Sequence, residues 1–116
     1  MNQRADRRFR VTGRKDIQRL FDLGRRAADA TVTLVGAPNE LGHSRAAVGT
    51  SGRHGKAFRR NRIRRLCREA FRLTRARLPS GYDYMIIPRV GVDHSLEALN
   101  ESLRALAPRV AAGGGQ

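Results

Sequence analysis

The segment from Lys56 to Leu78 constrains this chain most, because its pattern fits one long helix with two opposed faces. Its apolar side chains recur at intervals of three and four residues, the spacing of one helix face. Together with one threonine, this face comprises Ile63, Leu66, Cys67, Ala70, Phe71, Thr74 and Leu78. Most of the intervening positions are arginine. Such a helix docks its apolar face on the rest of the fold and leaves a ridge of guanidinium groups in solvent.

The charge of this segment is unbalanced as well as high. Residues 56–77 contain ten cations and a single anion, Glu69. Arginines four residues apart, such as Arg60, Arg64 and Arg68, repel one another and lower helix stability. Solvated helix faces normally mix both signs, so a bound polyanion explains this face better. Arginine suits phosphate in particular, because its planar fork donates two hydrogen bonds at once.

The charge of the whole chain favours the same class of partner. The sequence has 24 Lys and Arg against 10 Asp and Glu, and residues 1–79 carry the whole excess. Nucleic acid is the most common partner of so basic a domain, and an anionic membrane surface is the second. A membrane-surface helix keeps its apolar side free, whereas this chain needs that side for its core. With one cysteine and no apolar run that spans a bilayer, we expect a cytoplasmic protein without a membrane partner.

The remaining segments alternate between helical and strand patterns. We expect a helix in residues 14–24, strands in residues 30–38, 45–51 and 82–88, and a last helix in residues 93–108. Asp93 or Ser95 caps that last helix. The order α-β-β-α-β-α predicts an α+β fold, a two-layer sandwich of a small mixed sheet with helices packed on it. A single domain at residues 11–110 is expected between a flexible basic N-terminus (1–10) and a flexible Gly-rich tail (111–116).

The titratable residues do not form the pattern of a nuclease centre. The aspartates and glutamates are scattered along the sequence, whereas a Mg²⁺ site needs them clustered. His43, His54 and His94 lack the spacing of zinc ligands. We therefore expect no catalytic residue, no metal site and no small-molecule substrate in the protein itself.

The run from Gly55 to Arg72, GKAFRRNRIRRLCREAFR, closely resembles the signature of the bacterial ribonuclease P protein subunit. That family's Arg-Asn-Arg core, basic pair and Arg-Glu-Ala-Phe-Arg stand at residues 60–62, 64–65 and 68–72. The resemblance covers roughly residues 7–107, including FDLGRR before the first strand and LPSGYDYMIIPR after the long helix. It implies a fold like the second domain of a small-subunit ribosomal protein, with a left-handed β-α-β crossover. The general rule for connections between parallel strands would by itself favour a right-handed crossover.

The same resemblance implies an endoribonuclease subunit that binds the catalytic RNA of ribonuclease P and the 5′ leader of precursor tRNA. The RNA would carry the catalysis and, with the substrate, hold Mg²⁺, so the protein alone would be inactive. The residues that this reading assigns to RNA binding are Arg53, Lys56, Arg60, Asn61, Arg62, Arg64, Arg65, Arg68 and Arg72. A cleft between the first helix and the sheet would hold the leader, with Ile17, Phe21 and Thr33 in its wall.

Two positions depart from the family's pattern. Ile17 stands where the family usually has an aromatic residue, and Gly52-Arg53-His54 replaces a segment that usually contains two lysines. The alternative function is a ribosomal protein or general RNA chaperone without a dedicated enzyme. A DNA-binding protein is a third reading, but the ridge offers few side chains besides Asn61 that could read bases.

Overall fold

The computed structural model describes residues 7–112 of the chain. This range contains three α-helices and four β-strands, with a short 3₁₀ turn on either side of the second helix. In chain order the elements are α1 (Arg14–Leu23), β1 (Arg25–Ala28), β2 (Val32–Pro38), β3 (Arg45–Val48), the turn Gly52–His54, α2 (Ala57–Thr74), the turn Arg75–Arg77, β4 (Tyr82–Pro88) and α3 (Leu96–Ala111).

The four strands form one mixed sheet in the order β1-β2-β4-β3. Strand β2 is antiparallel to both β1 and β4, whereas β3 and β4 are parallel neighbours. Helix α2 connects these two parallel strands, so a β-α-β crossover is present, and the left hand that the resemblance implies stays a prediction. The predicted α+β class, with helices packed on a small mixed sheet, is confirmed.

Strand β1 is absent from the predicted element order, and that part of the prediction is wrong. Its sequence, RRAA, has no alternation of large apolar and polar residues, and only Ala27 is buried. Tertiary pairing creates the strand: the Asp29 carboxylate accepts hydrogen bonds from the backbone N–H groups of Thr31 (2.8 Å) and Val32 (3.0 Å). This turn folds β1 back onto β2, where the backbone pairing replaces the missing side-chain signal.

The predicted helix over residues 56–78 is divided in the structure. Helix α2 ends at Thr74, and residues 75–77 continue as a 3₁₀ turn. The Thr74 hydroxyl donates to the carbonyl of Ala70 at 2.7 Å, within the last α-helical turn. In the last helix, Ser95 is the cap, because its hydroxyl accepts from the backbone N–H of Ala98 at 3.2 Å. That result decides between the two caps that the sequence had left open.

The core lies mainly between the sheet and the two longer helices. The predicted apolar stripes face it: Cys67, Ala70, Phe71 and Leu78 from α2 and its following turn, with Leu99, Leu103, Leu106 and Val110 from α3. They pack on Leu34, Tyr84 and Ile86 of the sheet. Helix α3 comes so near to β2 that a Cβ atom on Gly36 would lie 2.6 Å from Val110 Cγ1. Each fully buried leucine contributes about 1.5–3 kcal/mol of hydrophobic stabilisation.

A second, smaller cluster lies on the opposite face of the sheet, under α1. Leu20 of α1 is fully buried there against Val35, Ala37 and Met85, and Val11 completes the cluster. Helix α1 therefore covers part of the face that α2 and α3 leave open. This placement decides where a cleft between the first helix and the sheet can lie.

A buried ion pair ties the edge strand β3 to β4. The Arg45 guanidinium donates to both oxygens of Asp83, from Nε at 2.8 Å and from Nη2 at 2.6 Å. The Asn39 amide also donates to Asp83 at 2.8 Å, and Asp16 of α1 lies 3.3 Å from Arg45 Nη2. The hydrogen bond with Asp83 is the main cause of the raised pKa of Arg45. The Asp83 side chain is 1% exposed, so this charge depends on its partners.

The chain ends of the described range take part in the fold. Phe9 packs against the main core, and the backbones of Phe9 and Val11 bond to Ala46 of β3. Packing against the core thus already includes Phe9, two residues before the predicted domain start at Val11. Helix α3 extends to Ala111. The remainder of the two predicted flexible ends, residues 1–6 and 113–116, lies outside the described residues. Among the residues described, no helix is long and apolar enough to cross a membrane.

Candidate nucleic-acid interface

The predicted cationic ridge lies on the outer side of α2. Cys67 and Ala70 anchor the inner side with no exposed surface. The outer side carries the predicted RNA-binding residues, of which Asn61, Arg62, Arg65, Arg68 and Arg72 are exposed and Arg60 and Arg64 are half-buried. The ridge is thus presented to solvent by the same packing that forms the core, as the helical spacing predicts.

Several ridge residues are ordered by contacts within the helix. The Arg72 guanidinium donates to both Glu69 oxygens, at 2.9 and 2.6 Å, and this hydrogen bonding lowers the pKa of Glu69. Arg60 donates to the carbonyl of Gly55 at 2.8 Å, and Arg64 donates to the Asn61 side-chain oxygen at 3.3 Å. The one anion of the ridge therefore already has a partner.

Three ridge arginines lack such a partner among residues 7–112. The side chains of Arg62, Arg65 and Arg68 make no hydrogen bond or ion pair with another described residue. Partial burial lowers the pKa of Arg68, and repulsion from Arg10 and Arg64 lowers it further. Arginine stays charged at neutral pH despite such a shift. A bound phosphate would relieve this repulsion and accept the unused hydrogen bonds.

The loop before α2 places two further predicted cations, Arg53 and Lys56, at the start of the ridge. Ser51 caps the 3₁₀ turn, and its backbone N–H donates to His54 Nδ1 at 3.1 Å. His54 Nε2 lies 2.7 Å from the carbonyl of Pro88. Because that carbonyl can only accept, Nε2 carries the hydrogen. Both ring nitrogens are thus used to hold the loop, and exposed Arg53 and Lys56 project from an ordered segment.

The three residues predicted to line a leader cleft share one side of the sheet. Leu20 seats α1 against Val35, and Thr33 lies on the same face of β2 as Val35 because strand side chains alternate. Ile17 packs half-buried beside this cluster. Phe21 is 43% exposed. Ile17 and Thr33 thus lie on the face of the sheet that α1 partly covers, and Phe21 is exposed on the same helix; that the three line one cleft stays a prediction.

The acidic residues do not assemble into a metal site within the described part of the chain. No group of three or more His, Cys, Asp or Glu side chains in residues 7–112 is placed to hold a metal ion. The carboxylates of Asp16 and Asp83 both bond to the Arg45 guanidinium, which lies between them. That guanidinium offsets one of their two negative charges and would repel a cation.

The packing of Cys67 leads to a chemical prediction. Burial raises the pKa of this thiol to about 12, against a smaller opposite effect of Arg68. At neutral pH the reactive thiolate is therefore about a thousandfold scarcer than for an ordinary cysteine. We expect iodoacetamide to modify Cys67 slowly in the native protein and rapidly in guanidinium chloride, as measured by mass spectrometry. Rapid modification of the native protein would contradict the buried placement.

The sequence matches the family model described as Ribonuclease P over residues 5–111. The chain belongs to this family. Its relatives are ribonuclease P protein components. That of Photorhabdus laumondii is 38% identical over 102 residues, covering 86% of this chain and 85% of the relative. That of Yersinia enterocolitica is 42% identical over 89 residues, covering 75% and 74%.

Solved structures of ribonuclease P proteins also share the fold. The Thermotoga maritima protein, in complex with 1-(4-fluorophenyl)-2-thiourea, superposes with a TM-score of 0.73 at 30% identity, covering 82% of this chain and 97% of that one. The Staphylococcus aureus ribonuclease P protein gives 0.75 at 26% identity, covering 89% and 94%. The resemblance found in the α2 motif is confirmed. As a ribonuclease P protein component, the chain has a role in an endonuclease complex that works with RNA.

The structure brings near the ridge a cation of the N-terminal segment that the sequence had not assigned to RNA binding. Arg10, attributed to the flexible N-terminus, pairs through its backbone with Ala46 and lies near Arg68. The signal that could have located it is the pair of apolar residues on either side, Phe9 and Val11, within an otherwise basic stretch.

Proposed function

We propose that the chain is the protein subunit of the ribonuclease P ribonucleoprotein and promotes removal of the 5′ leader from precursor tRNA. It binds the catalytic RNA through the α2 ridge and the leader through the cleft beside α1. The observation that carries this proposal is the solvent-facing ridge of α2, in which Arg62, Arg65 and Arg68 have no ion-pair partner among the described residues. Membership of the ribonuclease P family supplies the identity of the RNA.

The ridge acts by electrostatics and geometry. Exposed guanidinium groups pair with phosphates and release counterions, which makes binding strong at low salt and weak at high salt. The catalytic RNA and precursor tRNA are both polyanions, so cations near their junction lower the repulsion between them. The RNA carries the catalysis, and the protein positions the two RNAs.

The cleft beside α1 distinguishes precursor from product. Phe21 offers an exposed aromatic face on which an unpaired base can stack. We assign Ile17 and Thr33, on the α1 side of the sheet, to the same cleft. Mature tRNA lacks the leader and cannot occupy this surface. The protein therefore favours binding of the precursor and release of the product.

Magnesium belongs to the RNA in this proposal. The described carboxylates do not fit a protein-held Mg²⁺ site, since the two that approach each other are bridged by Arg45. We assign the ion to phosphate and other oxygen ligands of the catalytic RNA and the substrate, which suit it.

The test is single-turnover cleavage of precursor tRNA by the matching catalytic RNA at low Mg²⁺ concentration, with and without the protein. We expect a large increase in the cleavage rate, because cations on the ridge reduce the need for Mg²⁺ as a counterion. A folded protein that binds RNAs indiscriminately and does not stimulate cleavage would instead support the RNA-chaperone function.

The protein without its RNA should not cleave precursor tRNA. The expected result is a rate equal to the uncatalysed background in the same buffer, measured with protein purified free of RNA. Multiple turnover by such protein, retained after nuclease treatment, would place a catalytic centre in the chain and contradict this assignment.

A further inference from the structure

A cavity of about 380 Å³ lies between the N-terminal segment, strand β3 and the middle of α2. Its floor is apolar and consists of Phe9, Ala46, Val48, Phe71 and Ile86. Phe71 and Ile86 belong to the main core, whereas Val48 is half-buried at the end of β3. The volume falls within the range of about 300–1,000 Å³ that is typical of small-molecule sites.

The rim of this cavity is strongly cationic. It is formed by Arg10, Arg65, Arg68, Arg72 and Arg75, with Glu69 as the only acid among the lining residues that the structure describes. Glu69 is paired with Arg72. The Arg75 guanidinium lies 3.5 Å from the centre of the Phe9 ring, in a cation–π contact that orders one wall. An apolar floor under a ring of guanidinium groups fits a ligand with an aromatic body and negative charge.

The rim holds charge that the described residues do not balance. Within residues 7–112, the side chains of Arg10, Arg65 and Arg68 make no hydrogen bond or ion pair with a carboxylate. Arg68 is also partly desolvated and repelled by Arg10, which lowers its pKa. An anion at this rim would gain from three guanidinium groups whose mutual repulsion it reduces.

We propose that the cavity binds an unpaired nucleotide of a folded RNA, with its base on the apolar floor and its phosphates on the arginine rim. Single-stranded and bulged RNA offers unstacked bases to apolar and aromatic pockets in this way, whereas bases in a duplex stay stacked. Arg65 and Arg68 belong both to the α2 ridge and to this rim, so one RNA can occupy both. The inference rests on the proposed function, because it takes the RNA bound to the ridge as the occupant.

Two variants test the cavity separately from the ridge. Val48→Phe fills the space above the floor without changing charge, and Arg10→Ala removes a rim cation that lies outside α2. We expect each to weaken equilibrium binding of the matching catalytic RNA, without precursor tRNA, by about tenfold at fixed salt. Leu73→Phe, which adds the same ring on α2 outside the cavity, and Arg104→Ala, which removes an exposed cation of α3, are the matched controls. Thermal unfolding checks that all four variants are folded.

Chemical probing of the RNA bases gives a second readout that a structural role would not change. One unpaired base should be protected by the wild-type protein and become reactive again with Val48→Phe, while backbone protection by the ridge persists. Folded Val48→Phe and Arg10→Ala proteins that bind and protect like the wild type would overturn the inference. If Arg62→Ala, which lies outside the cavity, still weakens RNA binding in that case, the proposed function survives. If Arg62→Ala also leaves RNA binding unchanged, the proposal that the ridge binds the RNA fails as well.

A free nucleotide is the alternative source of the same chemistry. Adenosine 5′-monophosphate carries a single phosphate and can engage only part of the rim, so we expect no saturable binding below about 1 mM in calorimetry. Tighter binding that is lost in Val48→Phe would assign the cavity to a free nucleotide and overturn the RNA occupant.

Discussion

Replacement of Arg45 by alanine should lower the free energy of unfolding by about 3–5 kcal/mol, because it leaves a buried carboxylate without its counter-ion. Asp83 is 1% exposed and receives two hydrogen bonds from Arg45, at 2.8 and 2.6 Å. After the substitution, the Asn39 amide at 2.8 Å is the one side chain within residues 7–112 that still donates to it. Urea denaturation followed by circular dichroism measures the loss.

Arg72→Ala is the matched control for this experiment. Arg72 and Glu69 form an ion pair of the same 2.6 Å length, but their side chains are 45% and 44% exposed. Solvent screens such a pair, so its removal should cost at most about 1 kcal/mol. Replacing both Arg45 and Asp83 by apolar residues should recover much of the stability, since no unpaired charge then remains buried. Equal small losses for Arg45→Ala and Arg72→Ala would show that burial of the first pair has little energetic consequence.

Substitution of Arg62 and Arg65 by alanine should weaken binding to the catalytic RNA by about 1–3 kcal/mol for each charge-assisted hydrogen bond that is removed. Neither side chain has a hydrogen-bond or ion-pair partner among the described residues, so the change removes donors that only the RNA uses. The double charge reversal, Arg62→Glu with Arg65→Glu, should abolish stimulation of precursor cleavage. Filter binding and single-turnover cleavage measure the two effects.

The salt dependence of RNA binding separates the loss of phosphate contacts from a loss of correctly folded protein. Removal of an arginine that neutralises one phosphate should lower the steepness of the plot of log binding constant against log salt concentration by about 1. Because the ridge cations repel one another, the alanine variants should be at least as stable as the wild type. Arg104→Ala, which removes a cation from the exposed side of α3, should leave both the RNA affinity and its salt dependence unchanged. If the Arg62 and Arg65 variants unfold, the ridge is needed for the fold. If they stay folded and bind the catalytic RNA as tightly as the wild type, the ridge is not part of the RNA interface.

The cationic ridge on α2 could be anticipated because its pattern is local. Helical periodicity places residues three or four apart on one side, so the positions of Cys67, Ala70 and Phe71 in the core also set those of Arg62 and Arg65 in solvent. The motif around Asn61 lies within the same helix. No distant part of the chain is needed to predict either the ridge or its family.

Features that depend on backbone pairing or on contacts between distant segments were beyond such patterns. Strand β1 consists of small and charged residues, and it becomes a strand only because β2 supplies backbone partners. The bond between Arg45 and Asp83 joins residues 38 positions apart. Arg10 enters the basic surface because the backbone beside it pairs with Ala46 of β3.

The sequence by itself determined the α+β class, the two faces of α2, the apolar stripe of α3 and membership of the ribonuclease P family, since each rests on short-range periodicity or a contiguous motif. Only the tertiary structure decided the extra strand, the buried ion pair and the arginine-rimmed cavity. The ion pair and the cavity arise where segments remote in sequence meet, and their contacts depend on sheet register and helix docking, which short-range patterns do not encode. Strand β1 pairs with its neighbour β2 through backbone hydrogen bonds, which its own small and charged side chains do not signal.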